Sequence, residues 1–149
     1  MKIKVFNEES IQQFKTDEPH IIISVRSPST KKIELLTNPT RRATLFLTFH
    51  DIEDGLVSNM QEWAKERQLT TFSNIHARLI LSFIKTWKGK INLICINCEA
   101  GISRSAGIAG ALSYILNADD TYYFKNYLPN RLVYRTILNE YYGVNYDRS

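Results

Sequence analysis

The chain has 149 residues, and its 19 lysines and arginines against 15 aspartates and glutamates give it a formal net charge of +4. This length supports one hydrophobic core, so we expect a single domain over residues 1–149, while the basic charge suits an anionic partner, nucleic acid included. No apolar run approaches the roughly 20 residues of a membrane-spanning helix, and two cysteines are too few for a disulfide scaffold, so we expect a cytoplasmic protein.

The first third of the chain predicts three strands and one short helix. Residues 2–6 alternate between polar and apolar and predict an edge strand, and Asn7 is a suitable N-cap for a helix over 8–14. The mainly apolar runs 20–26 and 44–49 each have the length of a buried strand. The segment 31–42 is basic and contains a proline, which predicts an irregular crossover on the surface.

Helical periodicity begins in the middle of the chain. Residues 56–68 predict a partly helical excursion, and 73–88 predicts a long helix that begins at the N-cap Ser73 and ends at Gly89. We interpret His76, in its first turn, as a packing residue rather than a catalytic one. The apolar positions of this helix predict one wide buried face: Ile75, Leu79, Ile80, Phe83, Ile84 and Trp87.

The last third predicts a strand followed by three helices. The strand covers 91–97, and a helix rich in small residues covers 105–116. A short helix over 119–127 precedes a final helix over 131–142, which begins at the N-cap Asn130 and ends at Gly143. The predicted core positions of the final helix are Leu132, Val133, Ile137, Leu138 and Tyr141.

The order of these elements favours an α/β fold with a central, mostly parallel β-sheet flanked by helices. A long helix separates the third strand from the fourth, as a parallel crossover requires. Ligands of such sheets bind beyond the carboxyl ends of the strands. Cys98 directly follows the fourth predicted strand, so we expect it at the ligand-binding edge.

The segment from Cys98 to Ser105 reads C-E-A-G-I-S-R-S and lies between that strand and the small-residue helix. A loop at a helix N-terminus offers unpaired N–H groups and the positive end of the helix dipole, which suits a phosphate group. Gly101 permits a tight turn. N–H dipoles and a nearby cation favour a thiolate at Cys98, and the guanidinium of Arg104 matches two phosphate oxygens.

This C-x5-R-S pattern between a hydrophobic strand and a helix resembles the phosphate loop of the cysteine-dependent protein tyrosine phosphatases. The resemblance is strongest to the compact, dual-specificity-like branch of bacterial and phage type. It extends from about Ile21 to Tyr141 and includes the run P-N-R-L-V-Y at 129–134. The resemblance therefore implies a phosphatase fold for most of the chain.

The family resemblance also implies hydrolysis of phosphate monoesters through a phosphocysteine intermediate, without a metal or organic cofactor. Cys98 is then the nucleophile, Arg104 binds the phosphate group, and Ser105 stabilises the sulfur as it leaves. Because the loop contains Glu99 and no lysine, we expect a singly phosphorylated protein or small phosphate monoester, with phosphotyrosine before phosphoserine or phosphothreonine. The implied substrate-binding residues are Glu99, Ala100, Gly101, Ile102, Ser103 and Arg104.

Members of the family also use an aspartate to protonate the leaving oxygen. Proton transfer of this kind is typically worth about 10²- to 10⁴-fold in rate. The family's aspartate lies on the loop after the strand that precedes the long helix. Asp51 matches this position best, and Asp54 is the alternative.

Three features keep other interpretations open. Asn97 stands where the family usually has histidine, so a catalytically inactive phosphate-binding module is one alternative. The basic charge leaves an RNA 5′-phosphatase with the same loop chemistry as another. Cys95 forms a C-x-x-C pair with Cys98, but three steps along a strand span roughly 10 Å, which is too far for a disulfide, so we interpret Cys95 as a buried strand residue.

Overall fold

Four parallel strands form the centre of the computed structural model, which describes residues 1–53 and 59–143. The strands are β1 (Lys2–Phe6), β2 (His20–Arg26), β3 (Arg41–Thr48) and β4 (Leu93–Asn97). Their order across the sheet is β1-β4-β2-β3, and all three pairs of neighbours are parallel. The predicted α/β class with a parallel sheet is confirmed, and β1 lies at an edge as expected.

Six α-helices lie among the described residues, and a single 3-10 turn, Lys88–Lys90, connects the third of them to β4. Two predicted N-caps are confirmed, since the side-chain oxygen of Asn7 accepts from the N–H of Ser10 at 2.7 Å and that of Asn130 accepts from the N–H of Val133 at 3.0 Å. The helices are α1 (Glu8–Gln13), α2 (Met60–Glu66), α3 (Asn74–Trp87), α4 (Arg104–Asn117), α5 (Thr121–Asn126) and α6 (Arg131–Tyr142).

The two faces of the sheet carry separate hydrophobic clusters because side chains alternate along each strand. On one face, Ile94 and Ile96 of β4 pack into the larger cluster, which includes residues of α3, α4 and α6. On the other face, Leu93 and Cys95 join the smaller cluster around Ile11 of α1. The strand therefore directs Cys95 to the face opposite the one on which Cys98 is buried.

Small residues let α4 lie at the centre of the larger cluster. Residues 104–113 of this helix are all buried. A Cβ atom at Gly107 would lie only 2.7 Å from the backbone oxygen of Asn130, so the start of α6 approaches α4 at a distance that only glycine allows. Close packing of this kind fixes the N-terminus of α4, and with it the preceding loop.

Several predicted boundaries and burial assignments are wrong. β3 begins at Arg41, so the crossover predicted over 31–42 ends sooner, and Gly89 lies within the 3-10 turn instead of ending the helix. The buried face of α3 is narrower than predicted, since Ile75 is 66% exposed and Leu79 47% exposed. This helix packs on α6 and β3 through a stripe formed by Ala77, Ile80 and Ile84.

The buried residues of α6 also differ from those predicted. Tyr141 is 51% exposed, while Tyr134 is buried and donates a hydrogen bond to the carboxylate of Asp120. The alternative acid Asp54 and the start of the excursion predicted over 56–68 lie outside the described residues. Among the described helices, none combines the length and the apolar character needed to cross a membrane.

Candidate active site

The carboxyl ends of β2, β3 and β4 bring two residues predicted to carry the chemistry, Asp51 and Cys98, to the same edge of the sheet as Ser27. Ser27 follows β2, Asp51 lies three residues after β3, and Cys98 follows β4 directly. In a parallel sheet these ends lie at one edge, where ligands of α/β proteins bind. The start of α6 joins them through hydrogen bonds described below.

The loop between β4 and α4 reverses the chain through consecutive bends over 99–103. Gly101 makes this reversal possible, because its φ of +69° lies in the left-handed region that favours glycine. A Cβ atom there would also lie 2.8 Å from backbone atoms of Phe6 and Asn7. The loop is therefore seated directly against the carboxyl end of β1.

Neighbouring elements hold the carbonyl oxygens of this loop. The bonds run from Glu8 N–H to Glu99 O at 3.0 Å, from Leu128 N–H to Ile102 O at 3.2 Å, and from Asn130 N–H to Ser103 O at 2.9 Å. Within the part of the chain that the structure describes, no residue accepts a hydrogen bond from the N–H groups of 99–103. The loop thus keeps its donors unpaired at the N-terminus of a long helix, an arrangement that suits an anion.

Cys98 and Ser105 form a buried pair at the two ends of the loop. The sulfur of Cys98 lies 3.0 Å from the hydroxyl oxygen of Ser105, and either atom can be the donor. Both residues are almost fully buried. A thiolate at Cys98 would accept this hydrogen bond, so the serine is placed to stabilise negative charge on the sulfur.

The guanidinium of Arg104 is fixed between two strand ends and the loop. One of its nitrogens, Nη1, donates to the carbonyl oxygen of Phe49 at 2.8 Å and to the hydroxyl of Ser27 at 3.0 Å. The other, Nη2, lies 3.6 Å from a carboxylate oxygen of Glu99, which also accepts from Ser27 at 3.0 Å. Arg104 is only 6% exposed, so these contacts hold its orientation.

Two donors hold one carboxylate oxygen of Asp51. Its Oδ1 accepts from the hydroxyl of Ser103 at 2.8 Å and from the side-chain N–H of Asn130 at 2.8 Å. Asn130 also donates to the carbonyl oxygen of Ile52 at 3.0 Å. These hydrogen bonds connect Asp51 and Ile52 to two places. One is Ser103, near the end of the loop over 98–104, which we call the phosphate-loop candidate, and the other is Asn130 at the start of α6.

Sequence reasoning missed two of these contacts. Ser27 was not identified, although its place directly after a buried strand at the carboxyl edge was a usable signal. Asn130 was predicted only as a helix cap, and nothing in the sequence indicated that its side chain reaches across 79 positions to Asp51.

Asn97 and Cys95 are buried residues of β4, the strand that leads to Cys98. Asn97 is 1% exposed, and its side-chain oxygen has no hydrogen-bond partner among the residues that the structure describes. Burial raises the pKa of the Cys95 thiol to about 12, so this thiol is protonated at neutral pH. Both cysteines are free. The placement of Cys95 on the opposite face supports its interpretation as a structural strand residue.

His76 is a half-buried residue that packs against Phe49 and Phe72, in agreement with its interpretation as a packing residue. Its Nε2–H donates to the carbonyl oxygen of Thr48 at 3.2 Å, and its Nδ1 accepts from the N–H of Ser73 at 3.0 Å. The ring centroid lies 5.3 Å from those of both Phe49 and Phe72. Burial lowers the pKa of His76, which favours the neutral ring that these bonds require.

Comparison with known proteins adds no family to this description. No protein-family model matches the chain, and no curated protein sequence matches it significantly. The resemblance to phosphatases stays a prediction from the residues of the loop. Across residues 1–53 and 59–143, no three histidine, cysteine, aspartate or glutamate side chains are grouped to hold a metal ion.

Proposed function

We propose that the protein is a cysteine-dependent phosphatase that hydrolyses phosphate monoesters, with phosphotyrosine in proteins as its preferred substrate. The observation that carries this proposal is the loop over 98–104, in which the N–H groups of 99–103 have no acceptor among the described residues while neighbouring elements hold its carbonyl oxygens. A nucleophilic cysteine begins the loop and a fixed arginine ends it. Because a thiolate is easily oxidised, we propose the cytoplasm as its compartment.

In the first proposed step the loop N–H groups and the Arg104 guanidinium bind the phosphate dianion and stabilise the charge of the transition state. The Cys98 thiolate attacks phosphorus in line with the leaving oxygen. A sulfur–phosphorus bond forms as the phosphorus–oxygen bond to the leaving group breaks. Asp51 transfers its proton to the departing oxygen, which leaves as a neutral alcohol or phenol.

In the second step water attacks the phosphocysteine, and Asp51, now a carboxylate, accepts a proton from that water. The sulfur–phosphorus bond breaks and inorganic phosphate forms. The hydroxyl of Ser105, 3.0 Å from the sulfur, donates a hydrogen bond to the thiolate as it is released. The step thereby restores both the nucleophile and the protonated acid.

Aliphatic side chains beside the loop support an aromatic leaving group. Ile102 is 46% exposed and Leu128 is 75% exposed, and a backbone hydrogen bond of 3.2 Å joins the two residues. Exposed aliphatic side chains on this loop and on the segment bonded to it would favour contact with the ring of a phosphotyrosine over the short polar stem of a phosphoserine. The carboxylate of Glu99 beside Arg104 disfavours substrates with additional phosphate groups.

The deciding experiment compares wild type with Cys98→Ser on a phosphotyrosine peptide in the presence of a metal chelator. We expect phosphate release by wild type and a loss of at least about 10³-fold in the variant, because serine is a far weaker nucleophile at neutral pH. Cys95→Ser is the matched control and should retain activity. Equal rates for wild type and Cys98→Ser would refute the proposal.

Two further substrates test the proposed substrate class. The phosphoserine form of the same peptide is expected to react more slowly than the phosphotyrosine form. A 5′-phosphorylated RNA that reacts faster than either peptide would show that the substrate class is wrong while the loop chemistry is right. Binding of phosphate without turnover of any of the three would indicate an inactive phosphate-binding module.

A further inference from the structure

Asp51 receives its two hydrogen bonds on the same oxygen. Ser103 and Asn130 both donate to Oδ1, each at 2.8 Å, and no described residue donates to Oδ2. A carboxylate oxygen has two lone pairs, so these two donors fill Oδ1. A proton on Asp51 therefore resides on Oδ2, because placing it on Oδ1 would displace one of the donors.

Every polar group of Asn130 makes a hydrogen bond. It is 1% exposed, its side-chain oxygen caps α6, its backbone N–H donates to the carbonyl oxygen of Ser103, and its own carbonyl oxygen accepts from the N–H of Tyr134 in α6. Its side-chain N–H groups serve only the Asp51 loop, where they reach Asp51 Oδ1 and Ile52 O. A rigid junction of the phosphate-loop candidate and two helices thus fixes the carboxyl group.

We infer that Ser103 and Asn130 are positioning residues for the general acid: together they fix Oδ1 of Asp51 and leave Oδ2 as the oxygen that delivers the proton. This inference depends on the proposed function, since it assigns the acid of that reaction. Contacts within the chain therefore tie Asp51 to the loop over 98–104 and to the start of α6.

Asn130→Asp provides a sharp test. Aspartate and asparagine are about equally good N-caps, so the cap of α6 is kept, but the ionised carboxylate cannot donate to Asp51. Two substrates separate positioning from general damage: phenyl phosphate, whose leaving phenol has a pKa of about 10 and needs protonation, and 2,4-dinitrophenyl phosphate, whose leaving group departs unprotonated. The measured quantity is kcat/KM, which reports phosphoryl transfer to the enzyme.

We expect Asn130→Asp to lower kcat/KM for phenyl phosphate about 10²-fold and to leave that for 2,4-dinitrophenyl phosphate within about 3-fold. Asp51→Asn should give the same pattern, and Ser103→Ala a weaker form of it. Asn117→Asp is the matched control for the added charge, since Asn117 ends α4 about 20 Å along the helix from Arg104. It should leave both substrates unaffected.

The possible failures are distinguishable. If wild type hydrolyses neither substrate, the proposed function itself fails. If wild type is active but Asn130→Asp and Ser103→Ala lower kcat/KM equally for both substrates, or for neither, the positioning role is refuted. Should Asn130→Asp not fold, as judged by its unfolding transition, Ser103→Ala alone decides, because the half-buried Ser103 side chain, although at the N-cap position of α4, makes no capping hydrogen bond to that helix.

Discussion

The hydroxyl oxygen of Ser105 lies 3.0 Å from the sulfur of Cys98, and both groups are buried at the N-terminus of α4. This contact has different consequences for the two proposed steps. In the first step the sulfur loses negative charge as it bonds to phosphorus, whereas in the second step it regains that charge. A hydrogen bond to the sulfur therefore favours the second step over the first.

Ser105→Ala is expected to slow release of the thiolate from the phosphocysteine. A hydrogen bond to a charged group contributes about 1.5–3 kcal/mol, so we expect kcat to fall roughly 10- to 100-fold. Rapid-mixing measurements with an aryl phosphate should show a burst of phenol equal to the enzyme concentration, followed by slow turnover. A variant with reduced kcat but no burst would show that Ser105 acts before the intermediate forms.

If the proposed function is right, Cys95→Ala is expected to leave the sensitivity of the activity to oxidation unchanged. The Cys95 thiol is protonated, since burial raises its pKa to about 12, and it lies on the sheet face opposite Cys98. Hydrogen peroxide should therefore inactivate wild type and Cys95→Ala at the same rate. The variant is expected to lose about 1 kcal/mol of unfolding free energy through the small cavity it creates. A changed inactivation rate would indicate a redox partnership between the two cysteines.

The sequence was most informative where one local rule decides the structure. Strand β1 and helix α6 have the predicted bounds, because alternation marks the strand and the Asn130 and Gly143 caps mark the helix. The loop from Cys98 to Ser105 was also predictable, since its chemistry lies within eight consecutive residues. Ser27 and Asn130 were different, because their contacts with Arg104 and Asp51 join segments 77 and 79 positions apart.

Burial on the helices could not be derived from periodicity alone. An apolar face on α3 was expected to be buried as a whole, yet among the described elements the helix packs mainly on α6 and β3, and this contact leaves Ile75 and Leu79 exposed. On α6, Tyr134 rather than Tyr141 is buried, because Asp120 at the start of α5 provides a partner for its hydroxyl. Each outcome depends on a neighbour from another part of the chain.

Gly107→Ala and Gly110→Ala are expected to change stability in opposite directions. A Cβ atom at Gly107 would lie 2.7 Å from the backbone oxygen of Asn130, whereas at Gly110 the nearest atom would be 3.6 Å away, an ordinary contact. We expect Gly107→Ala to lower the free energy of unfolding by about 1–3 kcal/mol and Gly110→Ala to raise it by up to about 1 kcal/mol. Urea denaturation measures both, and equal effects would contradict the close approach of α6 to α4.

The stability of the protein is expected to fall in mildly acidic solution, in part because of His76. Burial lowers the pKa of this side chain below its ordinary value of 6.5, and Thr48 O opposes the shift only partly. The unfolded chain therefore binds the proton first as the pH falls. The contribution of His76 to the free energy of unfolding is complete above about pH 6.5 and declines as the pH drops toward the lower folded-state pKa.

His76→Gln tests this dependence, because glutamine at the third helical position also accepts from the N–H of Ser73 but does not titrate. At pH 7.5 the variant should have a free energy of unfolding about 1 kcal/mol below that of wild type, because it lacks the ring contacts with Phe49 and Phe72. Between pH 7.5 and about pH 5 its free energy of unfolding should fall by less than that of wild type. Burial also lowers the pKa of His20, so some dependence will remain. Urea denaturation of both proteins at both pH values gives the comparison. If the difference in free energy of unfolding between wild type and His76→Gln is the same at the two pH values, the pH dependence belongs to groups other than His76.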